Sequence, residues 1–301
     1  MDINAYLERI NHHGSLEPTA ETLRALQVAH LLAVPFENLS IHAREPIVLD
    51  DDALFTKIVA NRRGGFCYEA NGLFAALLRA LGFEVEMLSA EVANAEGEFG
   101  PNFDHMTLMV KPPGSMNIAQ RWLVDVGFGD SFLEPLLLDE RGEQMQGSRA
   151  YQIVSDGSHL VLMRRDESDL INRDESDLMQ SDKSHSNEKA GAQWESAQGE
   201  EGGLAPADQL WKAQYRFTLQ PYKYPDYAEM CRYHQTSHES HFTRSRICSL
   251  ATEDGRITLS DMRFISTSRN GADQTRNERT LQSEAEYADV LREQFGIVMT
   301  N

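Results

Sequence analysis

The chain is short of several things. It has three cysteines in 301 residues, an odd count at irregular spacing. That argues against a disulfide framework and makes a reducing cytoplasm the expected compartment. No run of eighteen apolar residues occurs, so no hydrophobic membrane-spanning helix is expected. The opening stretch, MDINAYLERINHHGS, lacks a basic segment followed by an apolar one, so no secretory signal is expected. Basic residues are scarce too: 28 Lys and Arg stand against 47 Asp and Glu, a formal net charge of −19. The basic footprint of a nucleic-acid binder is therefore missing. An anionic ligand would need a local basic or backbone-lined site working against the overall field.

What is present is an ordinary globular composition, 41% hydrophobic and 8% aromatic, long enough for two or three cores. Residues 1–83 read as a helical bundle. TAETLRALQVAHLLAV sets Leu23, Leu26, His30 and Ala33 at helical spacing behind a Thr19 cap. Pro35 stops that helix and PFENLSIH turns extended. DDALFTKIVANRRGG is a short helix with Asp50 to Asp52 at its start. Residues 67–81 form a third helix with an apolar stripe of Ala70, Leu73, Phe74, Leu77 and Leu81, closed by Gly82.

From residue 84 the period becomes two. FEVEMLSAEV, FDHMTLMV, RWLVDVGF and YQIVSDGSHLVLMR predict an antiparallel sheet, a small β-barrel, within 84–207. Residues 165–207 break the pattern: RDESDL occurs twice, and Asp166 to Glu201 holds eleven acids against three bases. So little apolar surface predicts a flexible acidic insertion, with Trp194 as its one candidate anchor. Residues 208–301 predict a mixed unit. It has a strand in LWKAQYRFTLQPY, a helix in YPDYAEMCRYHQTS, and hairpin strands ICSLAT and GRITLSDMRFIST around EDG. A closing amphipathic helix presents Tyr287, Val290, Leu291 and Phe295, with Gly296 after it. The expected class is α+β in three domains.

Cys67 is the first candidate for chemistry. A buried cysteine is ordinarily a small hydrophobe. This one follows two glycines at the first turn of a helix, where the positive dipole end favours a thiolate. A nucleophile needs a base, and the base needs an orienting group. If the hairpin around KPPGSMNIAQ is symmetric about Ser115, His105 and Asp125 stand directly opposite on one face of the sheet. A carboxylate so placed holds the imidazole's tautomer and stabilises its cation. A one-residue slip or a bulge would separate the pair, and the pattern alone does not bring Cys67 to them. Cys231, His234, His238, His241 and Cys248 lack the spacing of zinc knuckles, so no metal is expected.

These residues carry a resemblance. RGGFCYEANGLFAALL, the histidine of FDHMTLMV and the aspartate of WLVDVGFG resemble the three signature segments of the arylamine N-acetyltransferases. PFENLSIH and YHQTSHESHFTRSRICSLAT resemble that family too, in the same order along the chain. The departure is the acidic insertion, longer than expected between the second and third domains. The resemblance implies a helical bundle, a β-barrel and an α/β lid, with a core similar to papain-like cysteine peptidases. It implies a ping-pong transferase of xenobiotic metabolism with acetyl-CoA as co-substrate and no tightly bound cofactor. Cys67 would carry the acetyl group as a thioester, His105 would act as base and Asp125 would orient it. Arylamines, hydrazines or N-hydroxyarylamines would accept the group. By the same resemblance Phe36 and Phe128 would line the acceptor pocket, and Tyr233 and Phe242 would contact coenzyme A. Glu37 and Arg63 would form a structural pair, and Arg244 and Arg246 could offset the chain's charge near the phosphates. Two rivals share these residues: a cysteine hydrolase or transglutaminase-like enzyme, and a catalytically silent binding protein.

Overall fold

The structure, a computed structural model, describes residues 1–114, 120–166, 210–270 and 273–299. The tip of the hairpin at Ser115, Trp194 and all but the first two residues of the acidic tract lie outside the described residues.

The helical part begins with α1 (Ile3–Arg9), which the polar composition of the N-terminus hid. It buries Tyr6, Leu7 and Ile10. Its last residue, Arg9, collects the carbonyls of Ala33, Ile58 and Arg63 at 2.6, 3.0 and 3.2 Å. Next comes α2 (Ala20–Ala33), where the Thr19 hydroxyl caps the Thr22 amide at 3.2 Å. The expected extended run after Pro35 is only β1 (Phe36–Glu37), because Leu39–His42 coils into a short α3. Then follow α4 (Asp51–Phe55), continued by a single π turn (Thr56–Ala60), and α5 (Cys67–Ala80), with Gly82 at φ +95° behind it.

The strands of the middle region are β2 (Glu84–Val92), β3 (His105–Lys111), β4 (Trp122–Val124), β5 (Leu136–Leu137), β6 (Gln144–Gln146), β7 (Arg149–Asp156), β8 (His159–Asp166) and β9 (Lys212–Tyr222). They form one antiparallel sheet ordered β5-β4-β3-β2-β9-β8-β7-β6. The strand expected to open the third unit, β9, thus pairs with β2 and β8 in the same sheet as the middle strands. The sheet curls into a nearly closed barrel around Leu88, Leu123, Tyr151, Ile153, Leu162 and Phe217. Its two edges meet through side chains rather than a backbone ladder. Gln144 accepts the Leu137 amide at 2.7 Å and donates to the Leu137 carbonyl at 3.0 Å. Gln146 accepts the Leu133 and Glu134 amides at 2.9 and 3.1 Å and donates to the Glu134 carbonyl at 2.7 Å. Two glutamines stand in for a missing strand pairing.

The remainder comprises α6 (Tyr224–Thr236), α7 (His241–Arg244), β10 (Ile247–Thr252), β11 (Gly255–Ser260), β12 (Arg263–Asn270), β13 (Asp273–Thr280) and α8 (Glu284–Phe295). A five-stranded sheet, β1-β10-β11-β12-β13, packs under α8. Tyr287, Val290, Leu291 and Phe295 are all buried there, and Gly296 closes the helix at φ +67°. The fold is α+β, and no helix among the described residues is long and apolar enough to cross a membrane.

Gln146→Ala removes three hydrogen bonds from the barrel seam. It should cost about 1–3 kcal/mol in urea unfolding, since partly buried backbone groups lose their partners. An unchanged unfolding midpoint would show that the seam does not depend on this side chain.

Candidate active site

Cys67 stands at the first position of α5 because the chain before it is pinned. A Cβ at Gly64 would lie 1.9 Å from the Pro35 carbonyl oxygen, so only glycine lets the strand at Phe36 cross so close. The Gly65 carbonyl then accepts the Glu37 amide at 3.1 Å. Glu69, one turn into the helix, turns its carboxylate back onto the Phe66 amide at 3.1 Å and is held by Lys57 at 2.7 Å. The other first-turn amides lack intrahelical acceptors, as at any helix start.

Each residue of the PFENL stretch has a separate task. Phe36 lines the cavity above the cysteine. Glu37, fully buried, meets Arg63 at 2.9 Å and accepts the Leu39 amide at 2.6 Å. Burial pushes the Glu37 carboxyl up, but Lys57 and Arg63 outweigh it and hold the group below its ordinary range. Asn38 donates to the Phe242 and Ser245 carbonyls at 2.9 and 2.8 Å and accepts the Ile247 amide at 2.8 Å. That side chain bolts α7 and β10 to the helical part, which fixes Phe242 over the site.

The β3–β4 hairpin does not have the expected register. Leu108 pairs with Val124, Met109 with Leu123 and Val110 with Trp122. Each β3 residue therefore faces a position two farther along than symmetry about Ser115 implies. His105 and Asp125 are not directly opposite. An even shift preserves the face, however, because side chains alternate with period two. The diagonal pair still meets, with His105 Nε2 and Asp125 Oδ2 2.7 Å apart. The same alternation sends Val124 and Val126 into the helical core and Leu123 into the barrel.

Asp125 is 1% exposed and fully engaged. Besides His105, the Tyr215 hydroxyl donates to Oδ2 at 3.1 Å, while Asn71 Nδ2 and the Gly127 amide each donate to Oδ1 at 2.9 Å. An ionised carboxylate only accepts, so His105 Nε2 carries the proton and Nδ1 is left as the basic nitrogen. Asn71 also donates to the Met106 carbonyl at 2.6 Å and accepts the Val126 amide at 2.8 Å. Asn71 and Tyr215 escaped the sequence analysis. Asn71 carried one signal, an amide on a buried helix face four residues after Cys67. Tyr215 carried none, lying 90 residues from its partner.

The cysteine and the pair converge through Gly127 and Met106. A Cβ at Gly127 would fall 2.7 Å from Cys67 Cα, so the loop after Asp125 lies directly on the first turn of α5. The Met106 amide, next to His105, favours the ionised form of the Cys67 sulfur. Cys67 and His105 line one cavity of about 420 Å³ with Phe36, Asp104, Phe128 and Phe242. Phe128 lies edge-on to His105, ring centroids 5.1 Å apart. Tyr233 is 36% exposed and does not line this cavity. Arg244 lines it but donates to the His238 and Glu239 carbonyls, and Arg246 is engaged by Glu284 at 2.8 Å. Among the described residues, no three His, Cys, Asp or Glu side chains gather as metal ligands would.

Burial pushes the Cys67 thiol up; the Met106 amide pulls it down, and nearby Asp104 and Asp125 push it further up. Burial thus works against the thiolate that the helix start favours.

A profile of the N-acetyltransferase family matches residues 19–301. The chain is 32% identical over 301 residues to an arylamine N-acetyltransferase of Mycolicibacterium smegmatis, covering 99% of this chain and 92% of that protein. It is 28% identical over 290 residues to proansamycin X synthase of Amycolatopsis mediterranei, covering 91% and 90%. Its fold is similar to that of Mycobacterium marinum arylamine N-acetyltransferase in complex with CoA, with a TM-score of 0.76 and 29% identity over 98% of this chain and 93% of that one. Fold and relatives together define an acyltransferase. The chain belongs to the arylamine N-acetyltransferase family.

If the imidazole supports the thiolate, His105→Gln should raise the pH midpoint of Cys67 alkylation by iodoacetamide. The expected shift is at least about one unit, with a roughly tenfold slower reaction at neutral pH. The sign follows from losing the cation that offsets burial. An alkylation profile identical to the parent's would remove His105 from this role.

Proposed function

We propose that this protein transfers an acetyl group from acetyl-CoA to arylamines, hydrazines or N-hydroxyarylamines through a thioester on Cys67. The observation that carries the reading is the shared cavity, which Cys67 lines beside a histidine held at 2.7 Å by a buried carboxylate. Family membership and the relative in complex with CoA support the donor.

In the first half-reaction Cys67 Sγ passes its proton to His105 Nδ1 and attacks the thioester carbonyl. First-turn amides of α5 are the donors aimed at the oxyanion that develops. The C–S bond to coenzyme A breaks, and its sulfur leaves with the proton held by His105. In the second half-reaction the amine nitrogen attacks acetyl-Cys67 and gives a proton to His105, and the Cys67 sulfur is expelled. Asp125 remains ionised throughout and keeps the imidazole's Nε2–H in place. Phe36, Phe128 and Phe242 give the acceptor's ring apolar contact. For Tyr233 the proposed coenzyme contact is at the surface, outside this cavity.

A hydrolase on the same three residues would differ only in what attacks the thioester. Intact-mass analysis after mixing with acetyl-CoA separates the cases. The expected result is one acetyl group on Cys67, discharged by an arylamine, blocked by prior alkylation and absent in Cys67→Ala. An acetylated Cys67→Ala protein, or an adduct lost to water as fast as to amine, would overturn the transferase mechanism.

A further inference from the structure

A second cavity, of about 450 Å³, lies behind the loop that carries Asp125 and Phe128, between the barrel and the five-stranded sheet. It is lined by Arg149, Arg256 and Arg269 around Asp130. Arg164 approaches the same Asp130 at 3.6 Å, and a second carboxylate, Asp166, takes Arg149 at 2.9 Å and Arg164 at 3.3 Å. Four guanidinium groups thus face two carboxylates. Their hydrogen bonds are unequally shared. Arg149 spends both its terminal nitrogens on Asp130, at 2.8 and 3.0 Å. Arg256 reaches Asp130 only through Nε, at 3.3 Å, and Ser249 through Nη1. Arg269 has a single ionic contact, with Asp166 at 3.8 Å. Beside them the Ser131 hydroxyl is buried without a partner.

The electrostatics agree with this inequality. Burial pushes Asp130 up, but Arg149, with Arg256 and Arg164, holds its carboxyl well below the usual range. The surplus falls on the other two: burial, with Arg149 alongside, pulls Arg256 and Arg269 below the ordinary arginine value. A buried cation needs an anionic partner to offset its desolvation. Three more acids, Glu134, Glu253 and Asp254, also line the cavity. Glu253 and Asp254 are exposed, and Glu134, half-buried, is already paired with Arg24 at 2.9 Å, so they do not serve the half-buried guanidinium groups.

We propose that this cavity is a binding site for a phosphate group, held by Arg256 and Arg269 with the Ser131 hydroxyl as a further donor. Guanidinium forks match tetrahedral oxyanions in geometry and charge. The exposed acids at the mouth disfavour extended polyanions, so a single phosphate fits better than a nucleic acid. Such a ligand would tie β11 and β12 to the loop bearing Asp125 and Phe128 without touching the reacting atoms. The same chemistry could arrive as free phosphate or as the 3′-phosphate of coenzyme A.

The test uses the full chain, with Arg269→Gln and Arg256→Gln checked for native folding by circular dichroism. Arg269 is the gentler change, having one long contact to lose. Replacing chloride by about 10 mM phosphate at equal ionic strength should raise the parent's melting temperature by about 2 °C or more. Both variants should lose that rise. In parallel, binding of coenzyme A is compared with that of 3′-dephospho-coenzyme A. A preference for the phosphorylated form that disappears in Arg269→Gln assigns the site to the coenzyme. An unchanged preference, with the thermal effect present, assigns it to free phosphate. A parent indifferent to phosphate and to the 3′-phosphate, or variants that respond as the parent does, would overturn the proposal. The thermal readout does not depend on any acetyl transfer, so its failure is separate from failure of the transferase reading.

Discussion

An ionised carboxylate cannot sit in a protein interior unless donors replace the water it has lost. Left alone, Asp125 would cost on the order of several kcal/mol or take up a proton. Four donors meet it: His105 from β3, Tyr215 from β9, Asn71 from α5 and the Gly127 amide from its own loop. Each comes from a different element, so satisfying this one charge fixes how the barrel sits on the helical bundle. Asn71 is the hinge of the arrangement. Its amide joins the carboxylate to Met106 and Val126 and thereby orients the helix whose first residue is Cys67. The geometry of the candidate site and the packing of barrel on helices are one constraint here, not two.

A second constraint runs on the opposite side of Cys67. The Pro35 carbonyl occupies the space where a side chain at position 64 would be. That close crossing sets the approach to α5, and the next three residues fan outward to the cavity, to Arg63 and to Phe242. Asn38 then joins a segment near the start of the chain to one some two hundred residues later. A five-residue stretch can do this because consecutive side chains of an extended segment point in alternate directions.

Much of this was legible before the structure, for a definite reason. Features that depend on neighbours in sequence were found: the Thr19 cap, the glycines behind α5 and α8, and the faces of β3 and β4. The hairpin register was two residues off, yet the His105–Asp125 pairing survived, since period two forgives an even error. What escaped depends on distance through space. Tyr215 and Asn71 reveal their purpose only once Asp125 is placed. α1 was hidden because three of its buried residues are embedded among polar ones. The membership of β9 in the barrel was invisible because the edge it joins is chosen by β2 and β8. The seam glutamines look like ordinary surface residues in the sequence.

The environment of Cys67 shows why the pair matters more than the cysteine. A helix start offers the sulfur partial positive charge, and the Met106 amide adds to it. Against these stand full burial and two carboxylates, Asp104 and Asp125, which push the thiol up. A cation beside the sulfur would act in the opposite sense, and in the proposed mechanism His105 is the group that becomes one. Its own charge is underwritten by Asp125, so the same carboxylate that disfavours the thiolate directly favours it through the imidazole. On that proposal the reactivity of the sulfur depends on a base to take its proton. That property belongs to the three residues jointly, and no single position in the chain carries it.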